Sequence, residues 1–145
     1  MANIVNIKTK IKAHLEALRV AGTILSWQAL NYQQEVLNLN ISKYPAAILL
    51  PCTESGVEET NRDNLRTYTY DIVILQKGEN VRTDTDIETL CEAILDRFDN
   101  DPTLGGAANG GVPPTSSETV VIGSGDQTYV VFSVTVKARA LVTLA

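Results

Sequence analysis

Two long alternating stretches decide the fold of this chain: NLRTYTYDIVILQ at Asn64–Gln76 and YVVFSVTVKARALV at Tyr129–Val142. In the second stretch every other residue from Val130 onward is apolar, whereas the residues between include Ser133 and Lys137. Successive side chains of a strand point to opposite faces of a sheet. The pattern therefore predicts two long strands, the second with one buried and one solvated face.

The length of these strands has a consequence for assembly. Fourteen residues of strand span about 46 Å, whereas a folded chain of 145 residues is about 38 Å across. Such a strand must bend, twist strongly or project from the domain. A projecting ribbon has unpaired backbone groups at its edge, and these favour the addition of a strand from a neighbouring chain.

Two segments have the periodicity of amphipathic helices. Apolar residues recur every three or four positions over Ile4–Val20, and Gly22 follows as an end signal. A second helix is predicted over Asp84–Phe98, where Thr85 and Glu88 have the spacing of a capping box. Its apolar stripe consists of Ile87, Leu90, Cys91, Ile94, Leu95 and Phe98.

The remaining segments are shorter or less regular. Ala46–Leu50 is predicted as a buried strand between two prolines. Ile24–Leu39 fits neither a helix nor a strand period, and Cys52–Asp63 is predicted as a surface loop or the tip of a ribbon. Asp101–Ser117 contains four glycines and three prolines, which predicts a long irregular loop.

A short strand at Thr119–Ile122 is separated from the last long strand by the turn residues Gly123, Gly125 and Asp126. This arrangement predicts a β-hairpin. The fold class expected from these elements is α+β: a mostly antiparallel β-sheet with long strands and two main helices packed on it. Residues 1–145 are expected to form a single domain, because this length supports one hydrophobic core.

The charge distribution bears on partners. The net charge is −5, and residues 84–145 hold nine acidic but only three basic side chains. Proteins that bind DNA tightly neutralise phosphates with clustered Lys and Arg, so DNA binding is not expected. The N-terminus lacks a signal-peptide pattern, and no stretch is apolar enough to span a bilayer. A reduced cytoplasmic protein without membrane contact is expected.

The sequence offers little for catalysis or cofactor binding. Nucleophilic catalysis needs a base beside Ser or Cys, and the sole histidine, His14, is expected at the surface or rim of the first helix. A pair of His14 with Cys52 is the alternative. Cys91 is interpreted as a small buried apolar residue. We therefore predict no enzyme activity, no catalytic residue and no cofactor.

Acidic residues of the second helix form the other candidate site. Glu88, Glu92, Asp96 and Asp99 recur every three to four positions, which predicts one solvated acidic face opposite the apolar stripe. A metal site in this cluster is the alternative. The glycine pairs Gly105-Gly106 and Gly110-Gly111 lack the flanking strand, helix and basic residue of a phosphate site.

Taken in order, these elements resemble the tail-terminator, or tail-completion, proteins of long-tailed bacteriophages. The resemblance covers most of the chain. It includes the N-terminal helix, the strand YPAAIL at Tyr44–Leu49, the long strand through Tyr68–Leu75 and the helix Asp86–Phe98. The turn DPTLGG at Asp101–Gly106 and the final strand complete it.

The resemblance implies a non-enzymatic virion protein, assembled in the host cytoplasm, that forms a hexameric ring on the head-proximal end of the tail tube. Such a ring ends tube polymerisation and provides a docking surface for neck or head-completion proteins. It also implies contact segments at Thr53–Arg66 and Pro102–Ser117. The candidate contact residues are Glu54, Glu58, Glu59, Arg62, Arg66, Thr103 and Leu104.

DNA must pass through such a ring without specific binding, and an acidic lining avoids retention of phosphates. Glu88, Glu92, Asp96 and Asp99 are the candidate lumen face. The alternatives are another head–tail connector such as a stopper, a tail-tube subunit, or a small metal-binding enzyme or binding module.

Overall fold

The computed structural model describes residues 4–30, 44–58, 63–77, 84–101, 104, 110–117, 120–122 and 129–143. The helices are α1 (Ile4–Val20) and α2 (Asp84–Asp99). The strands are β1 (Ser26–Ala29), β2 (Ala46–Leu49), β3 (Thr53–Glu58), β4 (Asp63–Lys77), β5 (Gly110–Ser116), β6 (Val120–Ile122) and β7 (Tyr129–Thr143). Neither described helix is long and apolar enough to cross a bilayer.

A pair of long antiparallel strands forms the centre of the sheet. β4 and β7 pair over their full 15 residues, from Asp63 opposite Thr143 to Lys77 opposite Tyr129. Two short strands, β2 and β3, pair with β4 on its side away from β7. β5 and β6 pair with β7 on its side away from β4. β1 adds to β2 in parallel. The described part of the chain thus forms one seven-stranded, mostly antiparallel sheet.

Both helices contribute to one hydrophobic core with a single face of the sheet. α1 contributes Ile7, Ile11, Leu15 and Leu18, and α2 contributes Ile87, Leu90, Ile94 and Phe98. The sheet contributes alternate residues, namely Ala47, Leu49, Tyr68, Tyr70, Ile72, Ile74, Val130, Phe132, Val134, Val136 and Ala138. Burial of this apolar surface is the main favourable term in folding. We call this side of the sheet the helix-covered face and the opposite side the outer face.

A glycine ends α1 in the way its position predicts. Gly22 has a φ of 82°, and its N–H donates to the Arg19 carbonyl at 3.0 Å. The Thr23 N–H donates to the Leu18 carbonyl at 3.0 Å, which completes a Schellman motif. A residue with a Cβ is strained at this φ. The turn directs the chain into β1, on which α1 packs.

The α+β class, both helices and the long strands agree with the sequence analysis. The predicted strand 46–50 is β2, and Cys52–Asp63 contains β3, so the ribbon interpretation is confirmed for that segment. The expectation of an irregular loop over 101–117 was wrong, because β5 lies within it. β5 occurs at an edge of the sheet, and its register shifts between Val112 and Thr115, on either side of two prolines.

Candidate assembly surfaces

The central strand pair continues past the end of the described core. On the helix-covered face the last buried side chains are Tyr68 and Ala138, which are opposite each other. The backbones of 63–67 and 139–143 remain paired beyond that point, and β3 flanks 64–67 with its residues 55–58. We call these three segments the ribbon end.

One edge of the ribbon end has no pairing strand among the described residues. The paired part of β5 begins at Gly110, opposite Arg139. Among the described residues, no strand pairs with 140–143 on the side of β7 away from β4. Unpaired N–H and C=O groups on such an edge can accept a strand from another chain.

The predicted contact residues fall in different places. Glu54 and Glu58 lie on β3, opposite Tyr68 and Asn64, and Arg66 is half-buried on β4 at the ribbon end. Glu59, Arg62 and Thr103 lie outside the described residues.

Leu104 requires a correction. Its side chain is 3% exposed and belongs to the hydrophobic core, so it is not accessible to a partner of the folded chain. The Leu104 N–H donates to the Asp101 carbonyl at 3.1 Å, and its φ is 51°. A leucine at positive φ is unusual. Its core contacts therefore anchor the turn that follows α2.

The acidic face of α2 has the predicted orientation. Glu88, Glu92, Asp96 and Asp99 are all exposed, whereas Ile87, Leu90, Ile94 and Phe98 on the same helix are buried. We call these four carboxylates the α2 acidic stripe. Among the described residues, neither the Arg19–Glu16 ion pair nor the contact of His14 with Asp101 involves any of them.

Basic side chains occupy part of the outer face. Lys137 and Arg139 are exposed on β7, opposite Thr69 and Thr67 of β4. We call Lys137 and Arg139 the β7 basic pair. Among the described side chains, the Asp71 carboxylate lies on the same face and accepts a hydrogen bond of 2.6 Å from the Thr135 hydroxyl.

A polar cluster around the buried His14 links the two helices. His14 is 8% exposed, and its Nε2 lies 2.8 Å from Oδ2 of Asp101. Arg97 Nε donates to His14 Nδ1 at 2.9 Å, and the imidazole packs edge-on against Phe98 with ring centroids 5.1 Å apart. Because a guanidinium can only donate, His14 carries its proton on Nε2 and donates it to Asp101.

This cluster overturns the expectation of a surface histidine. Positions 7, 11, 14 and 18 share one face of α1, and this spacing could have indicated that His14 is buried. Both ring nitrogens have partners, so neither is available to activate Cys52. Cys52 and Cys91 are not joined in a disulfide and lie at the margin of the core, so Cys91 is only partly buried. The cluster connects α1 to the turn after α2, so its role is to stabilise the fold.

A second polar link joins α1 to β1. Glu16 accepts hydrogen bonds from Arg19 Nε at 2.8 Å and from Trp27 Nε1 at 2.8 Å. The Arg19 guanidinium, followed by the Trp27 indole, lowers the pKa of Glu16 from 4.5 to about 2. The link fixes the indole of β1 against the solvent side of α1.

Two tyrosines meet at the other end of the sheet. The rings of Tyr44 and Tyr129 have centroids 5.8 Å apart. Burial raises the pKa of the Tyr44 hydroxyl, and its hydrogen bond with Tyr129 raises it further. The contact joins the segment before β2 to the start of β7.

The described surface offers no grouping suited to a metal ion: no three His, Cys, Asp or Glu side chains of these residues converge. Comparison with known proteins adds no family, since neither a scan against protein-family models nor a search of curated proteins found a match.

Proposed function

We propose that this protein is a bacteriophage tail terminator, which forms a ring at the head-proximal end of the tail tube. One observation carries the proposal: the central strands remain paired through the ribbon end, where no described strand pairs with 140–143 on one side of β7. Paired strands that continue past the described core are suited to contacts between subunits. The resemblance in the order of elements supports the same function.

The proposed activity is geometric. One side of the ring contacts the last ring of tube subunits, the other side receives a neck or head-completion protein, and lateral contacts join sister subunits. DNA passes through the lumen without specific binding. The α2 acidic stripe as lumen lining remains a prediction from the sequence.

Mass measurement in solution and electron microscopy test the function together. We expect a particle of six times the 15.7 kDa chain mass, seen as a single closed ring. Added to assembling tail tubes, the protein should cap one end and stop elongation. A chain that stays monomeric at all concentrations and does not bind tubes would overturn the proposal.

A tail-tube subunit is the second candidate, because an open strand edge also suits stacked rings. Tube subunits polymerise without limit, whereas a terminator stops at one ring. Long tubes formed by the purified protein alone would favour the tube subunit.

A capped tube that recruits no neck protein would favour a different connector. Stoichiometric binding of Mg²⁺, Mn²⁺ or Ca²⁺ that is lost in Glu92→Ala/Asp96→Ala would instead favour a metal-binding protein.

A further inference from the structure

The two charged surfaces of this chain lie on opposite sides of the sheet. α2 packs on the helix-covered face through its buried stripe, so the α2 acidic stripe faces away from the sheet on that side. On β7, Val136 and Ala138 are buried on the helix-covered face, whereas Lys137 and Arg139 alternate with them and lie on the outer face. The two surfaces therefore cannot meet within one chain.

Within the described part of the chain, the charges on both surfaces have no ion-pair partner. In the described residues, neither the four carboxylates of the α2 acidic stripe nor the β7 basic pair takes part in an ion pair. Nearby groups of opposite sign make hydrogen bonds elsewhere: Arg97 donates to His14, and Asp71 accepts from Thr135.

The spacing of the charges is compatible with direct pairing. Lys137 and Arg139 are two residues apart on a strand, which places their Cα atoms about 7 Å apart. Glu92 and Asp96 are one helical turn apart, which places theirs about 6 Å apart along the axis. A helix whose axis runs along β7 could therefore match two carboxylates to two cations.

We propose that the α2 acidic stripe of one copy contacts the β7 basic pair of the next copy. The proposal rests on the ring function proposed above and names the lateral contact of that ring. Because the surfaces are opposite each other on the chain, the contact is head to tail, and successive copies form a ring when the rotation closes. The stripe then lies between subunits, so this use excludes its role as lumen lining.

Charge reversal tests the contact. The first variant is Lys137→Glu/Arg139→Glu, and the second is Glu92→Lys/Asp96→Lys. Each variant places like charges across the contact, so we expect the Kd of assembly to rise at least about tenfold. Lys10→Glu, an exposed reversal on α1, is the matched control for a single lysine reversal and should assemble like the wild type.

Mixing the two variants gives the sharpest result. In a 1:1 mixture, the stripe of the second variant, now basic, faces the β7 pair of the first variant, now acidic. The unchanged acidic stripe of the first variant faces the unchanged basic pair of the second. Every contact of an alternating ring is then complementary, so rings should reappear with equal amounts of both variants. A contact between identical surfaces would not be restored in this way. Circular dichroism of each variant alone shows whether it has folded.

The outcomes distinguish this contact from the ring itself. If the wild type forms rings, and both variants form them equally well, the contact is overturned while the ring function stands. If the wild type forms no ring under any condition, the ring function fails and the contact with it. Loss in both variants followed by recovery in the mixture supports both.

Discussion

The C-terminal half of α2 contains two groups of charges with different environments. Arg97, with Asp101 just beyond the helix, is fixed to His14 of α1 by hydrogen bonds of 2.8–2.9 Å. Glu92 and Asp96, less than two turns earlier, are exposed and make no ion pair in the described chain. The first group connects elements within the fold, whereas no described contact gives the second group such a role. The difference shows that a charged side chain on a helix indicates a contact with another molecule only when partners within the fold have first been examined.

The largest expected effect comes from removing the shared partner of the internal group. His14→Ala deletes a buried ring that packs on Phe98, and it removes the hydrogen-bonded link that the ring makes between Arg97 and Asp101. We expect a loss of about 2–3 kcal/mol in the free energy of unfolding, measured by urea denaturation. Glu92→Ala is the control on the exposed group and should change stability by less than about 0.5 kcal/mol. Equal effects of the two changes would refute the distinction.

A smaller effect is expected from Asp101→Asn. The amide oxygen can still accept the His14 Nε2 proton, but the hydrogen bond is no longer assisted by a negative charge. Because the Asp101 side chain is 28% exposed, we expect a loss of about 1 kcal/mol. In the double variant with His14→Ala, the two losses should not add. Additive losses would show that Asp101 stabilises the fold without His14.

The same comparison explains which parts could be predicted from sequence. α1, α2, β4 and β7 have strong periodicity over many residues, so their type and extent follow from local pattern. β1 is only four residues long and has no detectable period. Its place in the sheet depends on pairing with β2, which local pattern does not encode.

Composition misled the interpretation of β5. Gly110, Gly111, Pro113 and Pro114 are typical of loops, yet an edge strand needs hydrogen bonds on one side only and tolerates proline at a register shift.

The polar cluster was missed for a different reason. His14 and Asp101 are 87 residues apart in sequence, so their contact depends on how α1 and α2 pack. The exposure of the α2 acidic stripe could be predicted without tertiary information, since its helical periodicity alone places it on the face opposite the core residues.

A pH-dependent effect is expected at the link between α1 and β1. The folded-state pKa of Glu16 is about 2, below its ordinary 4.5. Its ionised form is therefore favoured by folding, and the stabilisation is present above pH 4.5 and lost as the pH falls towards about 2. The melting temperatures of wild type and Glu16→Gln should thus differ at neutral pH and converge in acid. A difference that grows in acid would contradict the assignment, and Lys10→Gln is a control at an exposed position of α1.

The smallest effect on stability, with a large effect on assembly, is expected from Glu92→Gln/Asp96→Asn. Carboxylates four residues apart on a helix repel each other, at a cost of about 0.2–0.5 kcal/mol per pair. Neutralising the two central charges should therefore leave the free energy of unfolding unchanged or slightly raised. If the stripe pairs with Lys137 and Arg139 of the next copy, ring formation should nevertheless weaken, and more so at low salt, where charge pairing contributes most. Denaturation and mass measurements on the same samples separate the two effects. Destabilisation comparable to that of His14→Ala would place the stripe among the charges that support the fold, and the contrast between the two groups on α2 would disappear.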